Sequence, residues 1–192
     1  MCRMRLPPVL SEAVVRAYAQ AYDVNLDECE PPPSGGAWSS FDAFFTRPLR
    51  PGMRSMSAAE RHLVSPADGK IESIGPVDLD GTLQVKGRPY RVEELVGDAA
   101  DAARYGGGQF TIVYLSPRDY HRVHAPVAGA VTRVRSLPGD LYPVNSIGER
   151  HVPSLFATNQ LEVALHAFGA LAFADPDQLH LVVCINDHIS NP

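Results

Sequence analysis

The sequence predicts a mostly β, α+β fold in which N-terminal helices precede a small β-barrel-like or sandwich-like core, and three observations support this. Helical periodicity marks the first 54 residues, residues 31–36 (PPPSGG) interrupt it, and from residue 62 onward short apolar runs alternate with glycine and proline. Apolar runs between such turn formers are typical of short strands. We therefore divide the chain into a helical segment, residues 1–54, and a β-rich core, residues 55–192.

One long helix is expected near the N-terminus. Ser11 can serve as the N-cap of a helix that runs to about Val24, because a serine hydroxyl accepts a hydrogen bond from the first free amides of a helix. Its apolar stripe would consist of Val14, Tyr18, Ala21 and Tyr22.

A short second helix is expected after Ser39 or Ser40. It places Phe41, Phe44 and Phe45 on one face, because residues three and four apart are neighbours on a helix. This aromatic face has two interpretations that the pattern leaves open, a core contact and a membrane-contacting face. Three basic residues that suit anionic head groups follow it: Arg47, Arg50 and Arg54.

The second half of the chain is expected to contain five strands and one helix. The helix covers residues 92–103, and the glycines at 106–108 end it before the next strand. The expected strands lie within residues 69–71, 81–85, 110–115, 130–134 and 179–185.

Two segments of this half resemble each other. Residues 65–71 (SPADGKI) and 125–131 (APVAGAV) both follow the pattern Pro-x-x-Gly-x-(Ile/Val). Proline fixes φ at the entry of a tight turn and glycine tolerates positive φ at its exit, so each segment predicts a turn that opens into a strand. The repetition suggests a pseudo-symmetric core.

Composition excludes several classes of function. The formal net charge of −5 and the absence of any Lys/Arg-rich block argue against nucleic acid as a partner. The three cysteines, Cys2, Cys29 and Cys184, form no disulfide framework and favour a reducing compartment. We expect no signal peptide and no spanning helix. Motifs for a serine-hydrolase elbow, a P-loop or a dinucleotide-binding loop are absent from the sequence.

The chemistry is expected in residues 114–126 (YLSPRDYHRVHAP), at the end of a predicted strand. His121 and His124 lie three apart, but the flanking prolines argue against a helix that would bring both onto one metal, so we expect no metal site. A purely structural role for the two histidines remains an alternative. If the two Pro-x-x-Gly turns are neighbours, Asp68 of the first turn can orient His124, which is two-thirds of a triad that activates a nucleophile.

Five motifs in order resemble the phosphatidylserine decarboxylase family over roughly residues 40 to 170. Residues 44–52 (FFTRPLRPG) resemble its FFxRxLxPG element, residues 65–69 its SPxDG turn, and residues 115–126 its LxPxDYHRxHxP segment. Residues 137–145 (LPGDLYPVN) resemble PGxLxxVN, and residues 155–160 (LFATNQ) resemble LFxxNER with Gln160 in place of glutamate.

The resemblance implies an enzyme that generates its own pyruvoyl cofactor from an internal serine and converts phosphatidylserine into phosphatidylethanolamine and CO₂. Asp68 and His124 match the pair that activates the serine, and His121 matches the histidine associated with decarboxylation. The resemblance also implies a cytoplasmic protein, peripheral on the cytoplasmic face of an anionic membrane, which residues 1–54 would contact.

One departure concerns the serine itself. These 192 residues contain no Gly-Ser or Ser-Thr dipeptide, and residues 175–192 no longer follow the family pattern. A truncated or frame-shifted relative is the first expectation, and a chain whose α-chain is encoded separately, or which forms a homo-oligomer, is the second. The alternatives in function are an inactive lipid-binding relative and a biotinyl/lipoyl-like carrier, for which Lys70 would be the modified lysine.

Overall fold

The computed structural model describes residues 6–33, 36–55, 64–126, 129–140, 142, 150–152, 155, 161–168 and 180–186. They form a mixed α+β fold in which two helices precede the first strand, as the sequence predicts. The helices are α1 (Pro8–Tyr22), α2 (Phe41–Phe45), α3 (Val92–Val96) and α4 (Ala99–Ala102). The strands are β1 (Lys70–Pro76), β2 (Thr82–Val85), β3 (Arg88–Arg91), β4 (Gln109–Leu115), β5 (Gly129–Leu137), β6 (Leu161–Phe168) and β7 (His180–Asn186).

Helix α1 begins earlier than the sequence predicts. Pro8 occupies its first turn, where a missing amide hydrogen costs nothing, so the expected cap at Ser11 is wrong. The Ser11 hydroxyl instead donates to the carbonyl oxygen of Trp38 at 2.6 Å. The buried face of the helix is Ser11, Val15 and Ala19. Of the expected stripe, Tyr18 alone contacts the core cluster, while the stripe's ends, Val14 and Tyr22, are exposed.

Helix α2 forms where the sequence predicts it. The Ser40 side chain accepts a hydrogen bond from the Ala43 amide at 3.1 Å, which caps the first turn. Phe44 is fully buried against Val15 and Ala19 of α1, and Phe41 packs against this cluster. The interpretation of the three phenylalanines as a membrane face is therefore wrong for Phe44, which belongs to the core.

The helix expected over residues 92–103 is interrupted. Gly97 has a φ of 70°, which ends α3 because this left-handed conformation is incompatible with a continuing α-helix. Asp98 then caps α4 by accepting a hydrogen bond from the Asp101 amide at 2.9 Å. A short 3₁₀ turn, Ala103–Tyr105, follows α4 and leads to the glycines before β4.

The strands form three sheets, with the orders β1-β4-β7, β2-β3 and β5-β6. All pairs are antiparallel except β4 with β7, which are parallel. No closed barrel is found among the strands of the described ranges. Two of the sheets nevertheless share one hydrophobic cluster, to which β2 contributes Leu83, β3 contributes Tyr90 and β4 contributes Phe110 and Ile112.

Strand β4 lies between β1 and β7 and has buried side chains on both of its faces. Because side chains alternate along a strand, Phe110 and Ile112 enter the shared cluster, while Val113 and Leu115 face the opposite side. There they pack against Ala67, which belongs to the first Pro-x-x-Gly turn. This packing places that turn beside the strand whose end leads to both histidines.

Candidate functional site

A tight turn at the end of β4 presents the histidine-bearing segment. The Asp119 carboxylate accepts hydrogen bonds from the amide and the hydroxyl of Ser116, each at 2.7 Å. The Asp119 amide in turn donates to the carbonyl oxygen of Ser116 at 2.9 Å. An aspartate that binds its own turn in this way fixes the direction in which the chain leaves the strand. Residues 121–125 lie in no helix, as the prolines predict.

His121 is buried, with 6% of its surface exposed. Its imidazole stacks on the Phe45 ring of α2, with 3.8 Å between the ring centroids and 23° between the planes. A phenyl face excludes water from one side of the imidazole and limits its rotation. The first of the two histidines is therefore held in a sheltered position by the N-terminal segment.

His124 is exposed and contacts different groups. Its Nε2 lies 3.0 Å from the hydroxyl oxygen of Tyr120, and the two rings are stacked at 5.5 Å. Its backbone amide donates to the carbonyl oxygen of Pro66 at 2.7 Å, and two residues away the Val64 amide donates to Pro126 at 3.0 Å. These two bonds confirm that the two Pro-x-x-Gly segments are neighbours.

Asp68 lies in the first of these segments, but its carboxylate binds an arginine. The Arg54 guanidinium donates to both carboxylate oxygens, through Nε at 3.1 and 2.8 Å and through Nη2 at 2.6 Å. Arg54 also binds Glu28 at 2.7 Å. These hydrogen bonds raise the pKa of the guanidinium further above its usual value, and the one to Asp68 has the largest effect. Among the residues with described positions, Arg54 supplies every side-chain hydrogen bond of Asp68, and an Asp68–His124 contact stays a prediction.

The glycine after Asp68 lies where there is no room for a side chain. A Cβ atom on Gly69 would overlap the carbonyl oxygen of Tyr114, so the turn can approach β4 this closely only with glycine. The Ser65 hydroxyl stabilises the same turn by donating to the carbonyl oxygen of Ala67 at 2.7 Å. The SPADG turn therefore holds the residue Asp68 close to β4, the strand that precedes both histidines in the chain.

The N-terminal segment contacts the histidine-bearing segment at several points. The Tyr18 hydroxyl donates to Pro117 at 2.9 Å, and the Arg122 Nε donates to Thr46 at 2.7 Å. Arg47 is 3% exposed, and its guanidinium donates to the Cys29 sulfur at 3.0 Å and to the carbonyl oxygen of Asp119 at 3.3 Å.

The arginines expected at the membrane therefore have other partners. Arg47 is buried, Arg50 donates to the carbonyl oxygen of Cys29 at 2.9 Å, and Arg54 binds Asp68. Sequence reasoning missed these contacts and the role of Phe45 against His121. The FFxRxLxPG motif could have indicated these contacts. It fixes the spacing of aromatic and basic residues, and binding to a membrane does not require a fixed spacing.

Two further expectations concern metal and carrier sites. Across the ranges that the structure describes, no group of three or more His, Cys, Asp or Glu side chains could hold a metal ion. Lys70 is the first residue of β1, opposite Tyr114 of β4, and its ammonium group pairs with Glu72 at 3.0 Å. A lysine that a carrier domain modifies stands at a hairpin tip, so this position inside a sheet argues against the carrier alternative.

The described ranges also contain no helix long and apolar enough to cross a bilayer.

Comparisons with known proteins agree with the resemblance that the motifs indicate. Residues 41–175 match the family described as Phosphatidylserine decarboxylase. The chain is 42% identical over 158 residues to the phosphatidylserine decarboxylase proenzyme of Myxococcus xanthus (strain DK1622), covering 82% of this chain and 56% of that protein. It is 41% identical over 177 residues to that of Anaeromyxobacter sp. (strain K), covering 90% and 62% respectively. For the proenzyme of Verminephrobacter eiseniae (strain EF01-2) the identity is 45% over 157 residues, with 81% and 54% covered.

The chain thus spans somewhat more than half the length of these relatives.

Proposed function

Because the chain belongs to the phosphatidylserine decarboxylase family, we propose that it supplies the histidine-bearing part of an enzyme that converts phosphatidylserine into phosphatidylethanolamine and CO₂. The observation that carries the proposal is the pairing of the DYHRxH segment with the SPADG turn. The backbone amide of His124 donates a hydrogen bond of 2.7 Å to the carbonyl oxygen of Pro66, so the two motifs are neighbours along their backbones.

The family implies a pyruvoyl group, whose carbonyl supplies an electron sink when a carboxylate leaves as CO₂. The serine from which it forms is not recognisable among these 192 residues, so we propose that it lies in sequence beyond them or in a separate α-chain. The side chains present are of the kind that such a group requires, because two imidazoles and one carboxylate belong to neighbouring segments. These side chains can transfer protons, whereas the carbonyl group only accepts electrons.

His121 suits the decarboxylation step. Its imidazole lies against Phe45 and is shielded from solvent, so a proton that it donates is not exchanged freely with water. We assign it the protonation of the carbon that loses CO₂, because an imidazole can hold and donate a proton near neutral pH.

His124 and Asp68 suit the self-processing step. An exposed imidazole whose Nε2 already lies 3.0 Å from a hydroxyl group can accept the proton of a serine hydroxyl. Asp68 would stabilise the imidazolium that results, and for this its carboxylate must exchange at least part of its contact with Arg54. Residues 55–192 would then form the decarboxylase-like core, with its sheets arranged as one barrel-like or sandwich-like unit.

Residues 1–54 are proposed to contact the membrane, on the cytoplasmic face and peripherally. Helix α1 supports this proposal, because it exposes the apolar side chains of Val9, Leu10 and Val14, of which Val9 is 82% exposed. Apolar side chains on the outer face of a helix can enter the interfacial region of a bilayer. Replacing all three by serine is expected to reduce co-sedimentation with vesicles that contain anionic phosphatidylserine. Unchanged sedimentation of the folded triple variant would contradict this assignment.

The catalytic proposal is tested by restoring the missing part. The 192-residue chain alone is expected to remain a single band without a pyruvoyl group. Joined to the C-terminal segment of the Myxococcus xanthus relative, it is expected to cleave itself and release CO₂ from phosphatidylserine. In that fusion, His124→Ala and Asp68→Asn should block cleavage, whereas His121→Ala should cleave and lose decarboxylation. His151→Ala, an exposed histidine elsewhere, serves as the matched control.

Two results would contradict the proposal. Decarboxylation by the 192-residue chain alone would show that no further serine is needed. A folded fusion that binds phosphatidylserine vesicles but neither cleaves itself nor releases CO₂ would favour the inactive lipid-binding relative.

A further inference from the structure

A small polar cavity of about 80 Å³ lies between the N-terminal segment and the turn at the end of β4. It has room for a few water molecules or one small ion. Its lining contains three arginines and three carboxylates, so formal charges do not decide which ligand it prefers. The charged lining residues are Glu28, Arg47, Arg54, Asp68, Arg118 and Asp119.

The three carboxylates of this cavity already have hydrogen-bond donors. Glu28 receives hydrogen bonds from Asn25 at 3.1 Å and Arg54 at 2.7 Å, and both oxygens of Asp68 are bound by Arg54. Asp119 accepts two hydrogen bonds within its own turn. None of the three therefore needs a cation from outside.

The arginines are satisfied to different degrees. Arg54 has two carboxylate partners, whereas Arg47 has no carboxylate partner among the residues that the structure describes. The Nε of Arg47 donates to the Cys29 sulfur and its Nη2 to the carbonyl oxygen of Asp119. Its Nη1 is buried and has no hydrogen-bond partner in the described ranges. Arg118 is exposed, lines the same cavity and makes no hydrogen bond or ion pair within the described part of the chain.

We propose that Arg47 and Arg118 form a binding site for a small oxyanion, of the phosphate or carboxylate class. A buried guanidinium nitrogen without an acceptor is costly, and two guanidinium groups at one cavity suit the several oxygens of such an anion. The contacts that Arg47 makes through Nε and Nη2 hold its planar fork in place, so the site is preorganised. The inference rests on these contacts alone and does not require decarboxylase activity.

The test uses the 192-residue chain with inorganic phosphate as the first probe and glycerophosphoserine, a soluble phosphodiester, as the second. Titration calorimetry at constant ionic strength would measure both. Binding of either probe is expected, and Arg118→Gln should weaken it about tenfold, the effect of losing one charge-assisted hydrogen bond. Arg118 is exposed, so this variant should fold; Arg16→Gln, an exposed arginine on α1, is the matched control.

The two probes separate the possible sources of the anion. Binding of phosphate but not of the diester points to a free ion, and the reverse order points to a lipid head group; either supports the site if Arg118→Gln weakens it. Arg47→Lys, which keeps the charge and removes the fork, should weaken the same binding. Absence of binding by both probes, or equal binding to wild type and Arg118→Gln, would overturn the proposal and leave the Arg47 donor to water.

Discussion

His121 and His124 stand three residues apart in one motif, yet they occupy opposite environments. His121 is buried and stacked on Phe45, whereas His124 is exposed and lies beside the Tyr120 hydroxyl. The difference comes from the segments that contact each of them, α2 for His121 and the SPADG turn for the backbone of His124. This difference supports the proposal that two identical side chains perform different proton transfers, because environment sets the role of a titratable group.

The largest effect on this comparison is expected from Phe44→Ala. Phe44 is fully buried and holds α2 against α1, so its truncation should lower the free energy of unfolding by about 3–5 kcal/mol. Chemical denaturation would measure this. If α2 supports His121 alone, the NMR signals of the His121 ring should shift while those of His124 change little. Equal shifts for both rings would contradict their independent support.

Gly69→Ala addresses the other side of the comparison. The added Cβ would overlap the Tyr114 carbonyl oxygen, and relief of such overpacking costs about 1–3 kcal/mol. Because the turn must move away from β4, we expect the His124 amide signal to shift and the His121 ring signals to stay. Gly36→Ala is the matched control, since nothing lies within 4 Å of a Cβ there. A Gly69→Ala variant as stable as that control would show that the close approach is not required.

The sequence predicts the mixed α+β class, helix α2 and five of the strands, because turn residues and apolar runs are local signals, but the barrel-like core is not found among the described strands. It misses β3 and β6. Strand β3 contains Pro89 and two exposed arginines, and packing of Tyr90 rather than a hydrophobic pattern holds it in place. The motifs also predict Asp68, His121 and His124 as site residues, and their roles stay predictions. The Arg54–Asp68 pair could not be predicted in this way, because it joins residues whose side chains meet only in the folded chain.

A smaller effect is expected from Phe45→Leu. This substitution keeps an apolar side chain but removes the stacked ring, and stacked rings contribute about 0.5–1.5 kcal/mol beyond their buried area. The ring-current shift of the His121 protons should disappear, and His121 should react faster with an imidazole-acylating reagent. Phe41→Leu, which removes a neighbouring ring that stacks on Phe45, is the control. Unchanged His121 shifts in Phe45→Leu would exclude the stacking contact in solution.

The smallest change in stability, about 1 kcal/mol for one hydrogen bond, is expected from Tyr120→Phe. This substitution tests the tautomer of His124, because a phenol that donates to Nε2 favours the tautomer with the proton on Nδ1. Nitrogen chemical shifts of His124 should report this tautomer in the wild type and lose it in Tyr120→Phe. Tyr18→Phe, which removes a hydroxyl bound to Pro117 of the same segment, should leave it unchanged. If Tyr120→Phe also leaves it unchanged, the hydroxyl does not orient the ring.

The same tyrosine predicts an alkaline effect with a definite sign. Burial raises the pKa of the Tyr120 hydroxyl, so the folded protein holds this proton more tightly than the unfolded chain does. The resulting stability is fully present below about pH 10, the pKa of an unperturbed tyrosine, and is lost as pH rises through the higher folded value. Wild type should therefore lose more stability above that pH than Tyr120→Phe, which has no proton to release. Parallel losses in the two proteins would mean that Tyr120 ionises as freely folded as unfolded, and its hydroxyl could not then remain a donor to His124 in alkaline solution.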